Sequence, residues 1–173
     1  MNFLKFMFLF LLTIIMSVKT SAQSNDNIQK IAITEIENLL GDWKGTLTYL
    51  DYTSKQPYSM PCNLTIKSKK KNRKLILLYE YPNEPKANNR SKLKISKDRK
   101  FLNNKPIKTQ KILDDNSVEL TVEYPGRDGN ENKNALIRII YIIGKEKFII
   151  RKEVQFENTK ESIMRNEYSF KRS

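Results

Sequence analysis

The chain has 173 residues, with 32 Lys or Arg against 19 Asp or Glu, a formal charge of +13, one cysteine and no histidine. Without imidazole there is no Ser-His-Asp triad, no Cys-His pair and no HExxH zinc site, and one thiol excludes an internal disulfide and a Cys/His zinc site. Catalysis by paired carboxylates, hard-cation binding by Asp and Glu, and binding without catalysis remain open.

Asn2–Lys5 form a short, weakly basic start, Phe6–Met16 an apolar run, and Thr20-Ser21-Ala22 a group of small residues. This layout predicts a secretory signal peptide, residues 1–22, cleaved between Ala22 and Gln23. The alternative, a retained membrane anchor, needs about 20 apolar residues. Cys62 lies far from the cleavage point, so lipid attachment there is not expected, and the expected location is secreted or periplasmic. Residues 23–173 are enough for a single domain with one sizeable core.

Between Asn27 and Leu40 the residues Ile28, Ile31, Ala32, Ile36, Leu39 and Leu40 recur at helical spacing, with Asp26 as cap and Gly41 as left-handed terminator. The pattern predicts an amphipathic helix of about three turns lying on the body of the fold. Its polar side carries Glu35 and Glu37, which argues against a membrane-surface role.

From Trp43 onward the pattern is β-type. Strands are expected near 43–52, 60–68, 74–81, 92–96, 100–103, 107–113, 117–124, 135–143, 147–156 and 162–171. Asn103-Asn104, Asp114-Asp115-Asn116 and Gly144-Lys145 read as short hairpin turns, and Pro125–Asn130 as a longer loop. Such short connections favour antiparallel neighbours. Leu93 and Ile95 alternate with Lys92, Lys94 and Ser96, and Val118, Leu120, Val122 and Tyr124 with Glu119, Thr121 and Glu123, giving one buried and one wet face. Ile137–Ile143 is apolar on both faces apart from Arg138, so an outer cover is expected, with the helix as candidate. About ten such strands must curl. The expectation is an all-β, antiparallel up-and-down barrel of about eight to ten strands with one short N-terminal helix; a two-sheet β-sandwich is the alternative.

Gly41-Asp42-Trp43, preceded by a short helix and opening the first strand, resembles the Gly-x-Trp signature of the lipocalin and calycin barrels. The resemblance implies that Trp43 plugs the closed end, that Gly41 is a tight-turn residue, and that an arginine from a late strand, Arg165 or Arg172, lies over the indole. The family's later Thr-Asp-Tyr turn and its usual disulfides are missing. Gly45, two residues beyond Trp43, leaves room for close approach of another element.

Several side chains are candidates for function. Regular alternation places Ile149, Arg151, Glu153 and Gln155 on one face of their strand and Ile163, Arg165, Glu167 and Ser169 on one face of the last. Arg151 and Glu153 then align with Arg165 and Glu167, either as cross-strand ion pairs in solvent or, with Tyr168, as a polar grip on a ligand carboxylate. The grip resembles the arginine-tyrosine site of fatty-acid-binding barrels, although alternation puts Tyr168 and Arg165 on opposite faces. Asp51, Glu80, Glu123 and Glu153 are the candidate inward carboxylates, with no evident catalytic pairing. Cys62 alternates with Leu64 and Ile66 and reads as a buried small hydrophobe.

The charge is uneven. Residues 67–111 carry sixteen Lys or Arg against Glu80, Glu84 and Asp98, a net of +13 equal to that of the whole chain. A lysine-rich bacterial composition accounts for the total better than for its concentration. Lys69, Lys70, Lys71, Arg73, Lys92 and Lys94 are the candidate patch, suited to lipopolysaccharide, an acidic polysaccharide or an anionic membrane surface. Tyr49, Tyr52, Tyr58, Tyr79 and Tyr81 can stack on bases or sugars, but export disfavours nucleic acid and core or rim packing is the stronger reading. The leading functional expectation is an exported, non-enzymatic binding protein for an apolar or amphipathic small ligand such as a lipid, with no cofactor. The alternative is a cell-envelope protein docking an anionic partner through residues 67–111.

Overall fold

The computed structural model describes residues 30–51, 54, 56–157 and 159–173. The expected signal segment, the capping Asp26 and Tyr52 lie outside the described residues. The elements are α1 (Ile33–Asn38), β1 (Gly41–Leu50), β2 (Pro57–Lys69), β3 (Lys74–Glu80), β4 (Asn89–Lys94), β5 (Phe101–Leu102), β6 (Lys105–Ile112), β7 (Val118–Asp128), β8 (Lys133–Ile143), β9 (Lys147–Phe156) and β10 (Ile163–Arg172).

The ten antiparallel strands form a nearly closed barrel in the order β4-β3-β2-β1-β10-β9-β8-β7-β6-β5. Neighbours in sequence are neighbours in space, and β1 closes on β10. The seam is at β4 and β5, which meet through a single bridge between Ile95 and Leu102. Each expected strand is present. The turns follow the chemistry that marked them: Asn103 and Asn104 both adopt positive φ, as a type I′ hairpin requires, and Asn116 does so too.

Three expectations change. Among the described residues the helix spans only Ile33–Asn38: Ala32 is extended and the Ile31 N–H is taken by Arg99 O at 3.0 Å, between β4 and β5, while residues 27–29 of the expected helix lie outside the described residues. The Ala32 N–H is satisfied by Glu35 Oε2 at 2.6 Å. Secondly, the helix does not cover β8 from outside: Ile31, Ile36 and Leu39 join the interior core. The outer residues Ile140 and Ile142 are instead screened by cross-strand neighbours, Thr121 and Arg151 beside the first, Glu119 and Ile149 beside the second. Thirdly, Pro125–Asp128 is strand, not loop. β6 pairs with β7 only as far as Val122, so the N–H that Pro125 lacks has no partner strand to serve. Pro61 follows the same logic, since β3 joins β2 only from Asn63.

Candidate functional site

The floor of the barrel is built around Trp43. Its indole is buried and donates Nε1–H to Leu39 O at 3.0 Å, tying the first strand to the helix end. The Arg172 guanidinium lies over the ring, 3.9 Å from its centroid, and Nη1 donates to Leu40 O at 2.6 Å. Gly41 takes φ +107°, and Arg172 Nη1 stands 3.3 Å from where its Cβ would be. Around this plug Leu64, Ile66, Leu75, Leu120, Ile143, Phe148 and Phe170 are fully buried.

Away from this floor the inward face is covered less evenly, although Ala135, Ile137 and Val154 toward the other end are buried. A middle layer of Met60, Tyr79, Tyr81 and Tyr141 is still buried. Burial pushes the phenols of Tyr79, Tyr81 and Tyr141 well above the ordinary value, so they stay protonated. Tyr81 and Tyr168 bring their hydroxyls to 3.2 Å, and Tyr79 and Tyr168 their ring centroids to 5.0 Å. Beyond this layer Leu47, Tyr49, Tyr124, Ile139, Ile150 and Tyr168 pack on the core yet remain only partly buried. With the inward Lys152 and Asn166, they line the half of the barrel away from Trp43.

The rim of this half carries cations. Lys105 Nζ sits 4.6 Å from the Tyr124 ring centroid. Asp128 binds Lys152 on one oxygen and Arg165 Nε at 2.8 Å on the other. The Asp128 and Arg165 side chains are only 8% and 9% exposed. Burial raises the Asp128 carboxyl, but Lys152, the Gly129 N–H and Arg165 outweigh it and hold the group below its usual value. Arg165 also lies over Phe156, 5.3 Å from its centroid, and with Asp128 and Phe156 it lines a cleft of about 420 Å³ at the rim.

The structure therefore separates Arg151, Arg165 and Tyr168. Arg151 is on the outer surface, opposite Glu167 in register and bonded to it at 2.6 Å. Tyr168 points into the barrel. A bulge between Met164 and Asn166 breaks the alternation and lets Arg165 reach Asp128. Lys152, in place of Arg151, is the cation on β9 that faces inward. Glu123 and Glu153 face outward and share Arg138, at 2.7 and 3.2 Å. Asp51 accepts bonds from Ser54. Among the described residues, no three His, Cys, Asp or Glu side chains gather as a metal site.

Lys152 and Asp128 are the site residues that sequence reading passed over. Lys152 lies on the face of β9 opposite Arg151, and its partner Asp128 lies in a segment whose sequence reads as loop.

The basic residues do come together. Across β2, β3 and β4, Lys69, Lys74 and Lys94 form one row on the outer face, and Lys67, Ile76 and Lys92 form the next. Arg90 continues the face beyond Lys92, and Lys70, Lys71 and Arg73 crown the β2–β3 turn. Lys70, Lys71 and Asn72 all have positive φ. Neighbouring ammonium groups, Lys92 foremost, hold Lys74 below the ordinary lysine value.

Cys62 is buried beside Tyr81, and burial pushes its thiol up to about 11. At pH 8 its thiolate fraction is then about 10⁻³, so an aromatic disulfide reagent should label the native protein at least ~100-fold more slowly than the urea-unfolded chain. Equal rates would show that the interior is open at this depth.

No family model matches the sequence, and no curated protein matches it. Among solved structures, Rv2717c from M. tuberculosis superposes with a TM-score of 0.53 at 11% identity, covering 81% of this chain and 96% of that one. A DUF3598-family protein of unknown function from Nostoc punctiforme gives 0.39 at 11% identity, over 83% of this chain and 50% of that one. At this identity the first shares the fold alone, and the second supports no argument.

Proposed function

We propose that the protein is an exported, non-enzymatic binding barrel that takes an amphipathic small molecule, anionic at one end, into its half away from Trp43. One observation carries the reading: midway along the barrel the inward-facing Leu47, Tyr49, Tyr124, Ile139, Ile150 and Tyr168 are only partly buried, although Ile137 and Val154 beyond them are buried again. An apolar and aromatic wall with a few convergent polar groups is the usual character of a small-molecule site. The rim adds Lys105, Lys152 and Arg165, the last two paired with Asp128, while Glu131 and Glu157 also line the cleft beside Arg165. An apolar chain then lies along Ile139, Ile150 and Leu47, and its charged head remains at the rim. The lipocalin-like resemblance supports this reading through Gly41-Asp42-Trp43 and an arginine over the indole, here Arg172. Export rests on the expected signal peptide, residues 1–22.

The test is fluorescence titration with a dansyl-labelled undecanoic acid. Saturable enhancement is expected, lost when Ile139→Trp fills the half away from Trp43. Lys152→Met should weaken the acid about tenfold and leave the matching alcohol unchanged, the difference expected for one partly buried charge-assisted contact. Arg151→Met, on the outer face, should leave both unchanged. Absence of saturable binding, or equal binding by Ile139→Trp at unchanged melting temperature, overturns the reading.

A further inference from the structure

The protein treats charge differently on its two sides. On the outer face of β7–β10, cations sit in register with acids: Arg138 between Glu123 and Glu153, and Arg151 against Glu167. On the outer face of β2–β4 they sit in register with one another. Lys69, Lys74 and Lys94 stand side by side, with Lys67 and Lys92 in the row below. Among the described residues, no carboxylate comes within 4.0 Å of any of these five, nor of Lys70, Lys71, Arg73 or Arg90. Like charges directly opposed across strands destabilise a sheet. The repulsion costs folding free energy in the isolated molecule, and an anionic partner removes it.

The face also has a shape. Strands lie about 4.8 Å apart and same-face residues about 6.7 Å apart along each strand, so the cations form a grid in two directions rather than a line. A single polymer strand neutralises one row, whereas a plane of phosphates meets all of them. Ile76, between Lys67 and Lys92, is buried and Leu78, beside Arg90, is half-buried, so this face offers mainly charge at headgroup level and no fully exposed large apolar side chain among the described residues.

We propose that the outer face of β2–β3–β4 is a docking surface for an anionic lipid bilayer. The site is independent of the half of the barrel away from Trp43, and its test is separate from ligand binding. Co-sedimentation of the protein is measured with vesicles of phosphatidylcholine containing 30% phosphatidylglycerol, and with phosphatidylcholine alone. Binding is expected only to the anionic vesicles, and should weaken at least tenfold between 50 and 500 mM salt, about the range over which the screening length falls severalfold.

The variant Lys69→Glu, Lys74→Glu, Lys92→Glu should bind about 100-fold more weakly. Its melting temperature should be kept or raised, because the substitutions relieve repulsion. The control Lys97→Glu, Lys108→Glu, Lys160→Glu makes the same change in net charge elsewhere and should stay within about threefold of the parent. Equal losses in the two variants would assign binding to net charge and overturn the proposal. Equal binding to neutral vesicles overturns it too. So does binding to a sulfated polysaccharide through this face without binding to anionic vesicles.

Discussion

Trp43→Ala is expected to lower stability by about 3–5 kcal/mol, the range for removing a large buried aromatic side chain. Three contacts end together. The indole leaves a cavity against Phe148, whose ring centroid lies 6.0 Å away. Leu39 O loses its donor at the end of α1. The Arg172 guanidinium loses the ring beneath it, although its bonds to Leu40 O and to Lys145 O at 3.1 Å remain. In urea this corresponds to a midpoint lower by about 2 M for a domain of this size. Trp43→Phe should recover more than half of the loss, since it restores the apolar contact and leaves only the carbonyl unserved. A midpoint for Trp43→Ala within 0.5 M of the parent would show that the floor repacks and that Trp43 is not its keystone.

Gly45→Ala is expected to be as damaging, although it adds a single methyl group. Gly45 pairs with Phe170 where the first strand meets the last. A Cβ there would stand 2.0 Å from Ser169 O and 2.8 Å from Phe170 Cα, both backbone atoms that no rotamer change can move. The strands must part, losing ladder hydrogen bonds worth about 0.5–1.5 kcal/mol each in addition to about 1–3 kcal/mol of steric strain. We expect a loss of about 4 kcal/mol and a collapse of the aromatic circular dichroism that reports packing of Trp43, Phe148 and Phe170. Thr46→Ala, on the exposed face next door, should remain within about 0.5 kcal/mol of the parent. If Gly45→Ala melted with Thr46→Ala, the close approach of β1 and β10 would not be a requirement of the fold.

These two residues also show how far the fold was legible. Gly45 was marked from its place on the Trp43 face, and the β1–β10 contact explains it. Strand positions and hairpin turns followed from alternation and from Asn, Asp and Gly chemistry, which are local. The failures were of one kind, in which a tertiary partner altered local structure. Ile31 looked helical until its N–H was given to Arg99 O. Pro125 looked like a loop residue because a strand proline is tolerated only where a neighbouring strand ends. Arg165 was assigned the face that strict alternation gives, and the bulge at that residue turned it toward Asp128.

The candidate site was read less completely than the fold for the same reason. Alternation separates Tyr168 from Arg165, but it does not say which face of β9 or β10 points inward. That Lys152 and Arg165 converge on one carboxylate depends on β7 running as far as Asp128. The basic segment was evident as composition, but composition cannot tell scattered charges from a surface. Register did so, by setting Lys69, Lys74 and Lys94 in one row.

By itself the sequence determined the all-β class, the strand count, the turns and the excluded chemistries, because alternation, turn propensity and residue inventory act over a few neighbouring residues. Only the tertiary structure decided that β1 pairs with β10, that Trp43 is buried beneath Arg172, and which charges stand opposed. Those properties depend on strand pairings between residues far apart in the chain, which no local pattern encodes.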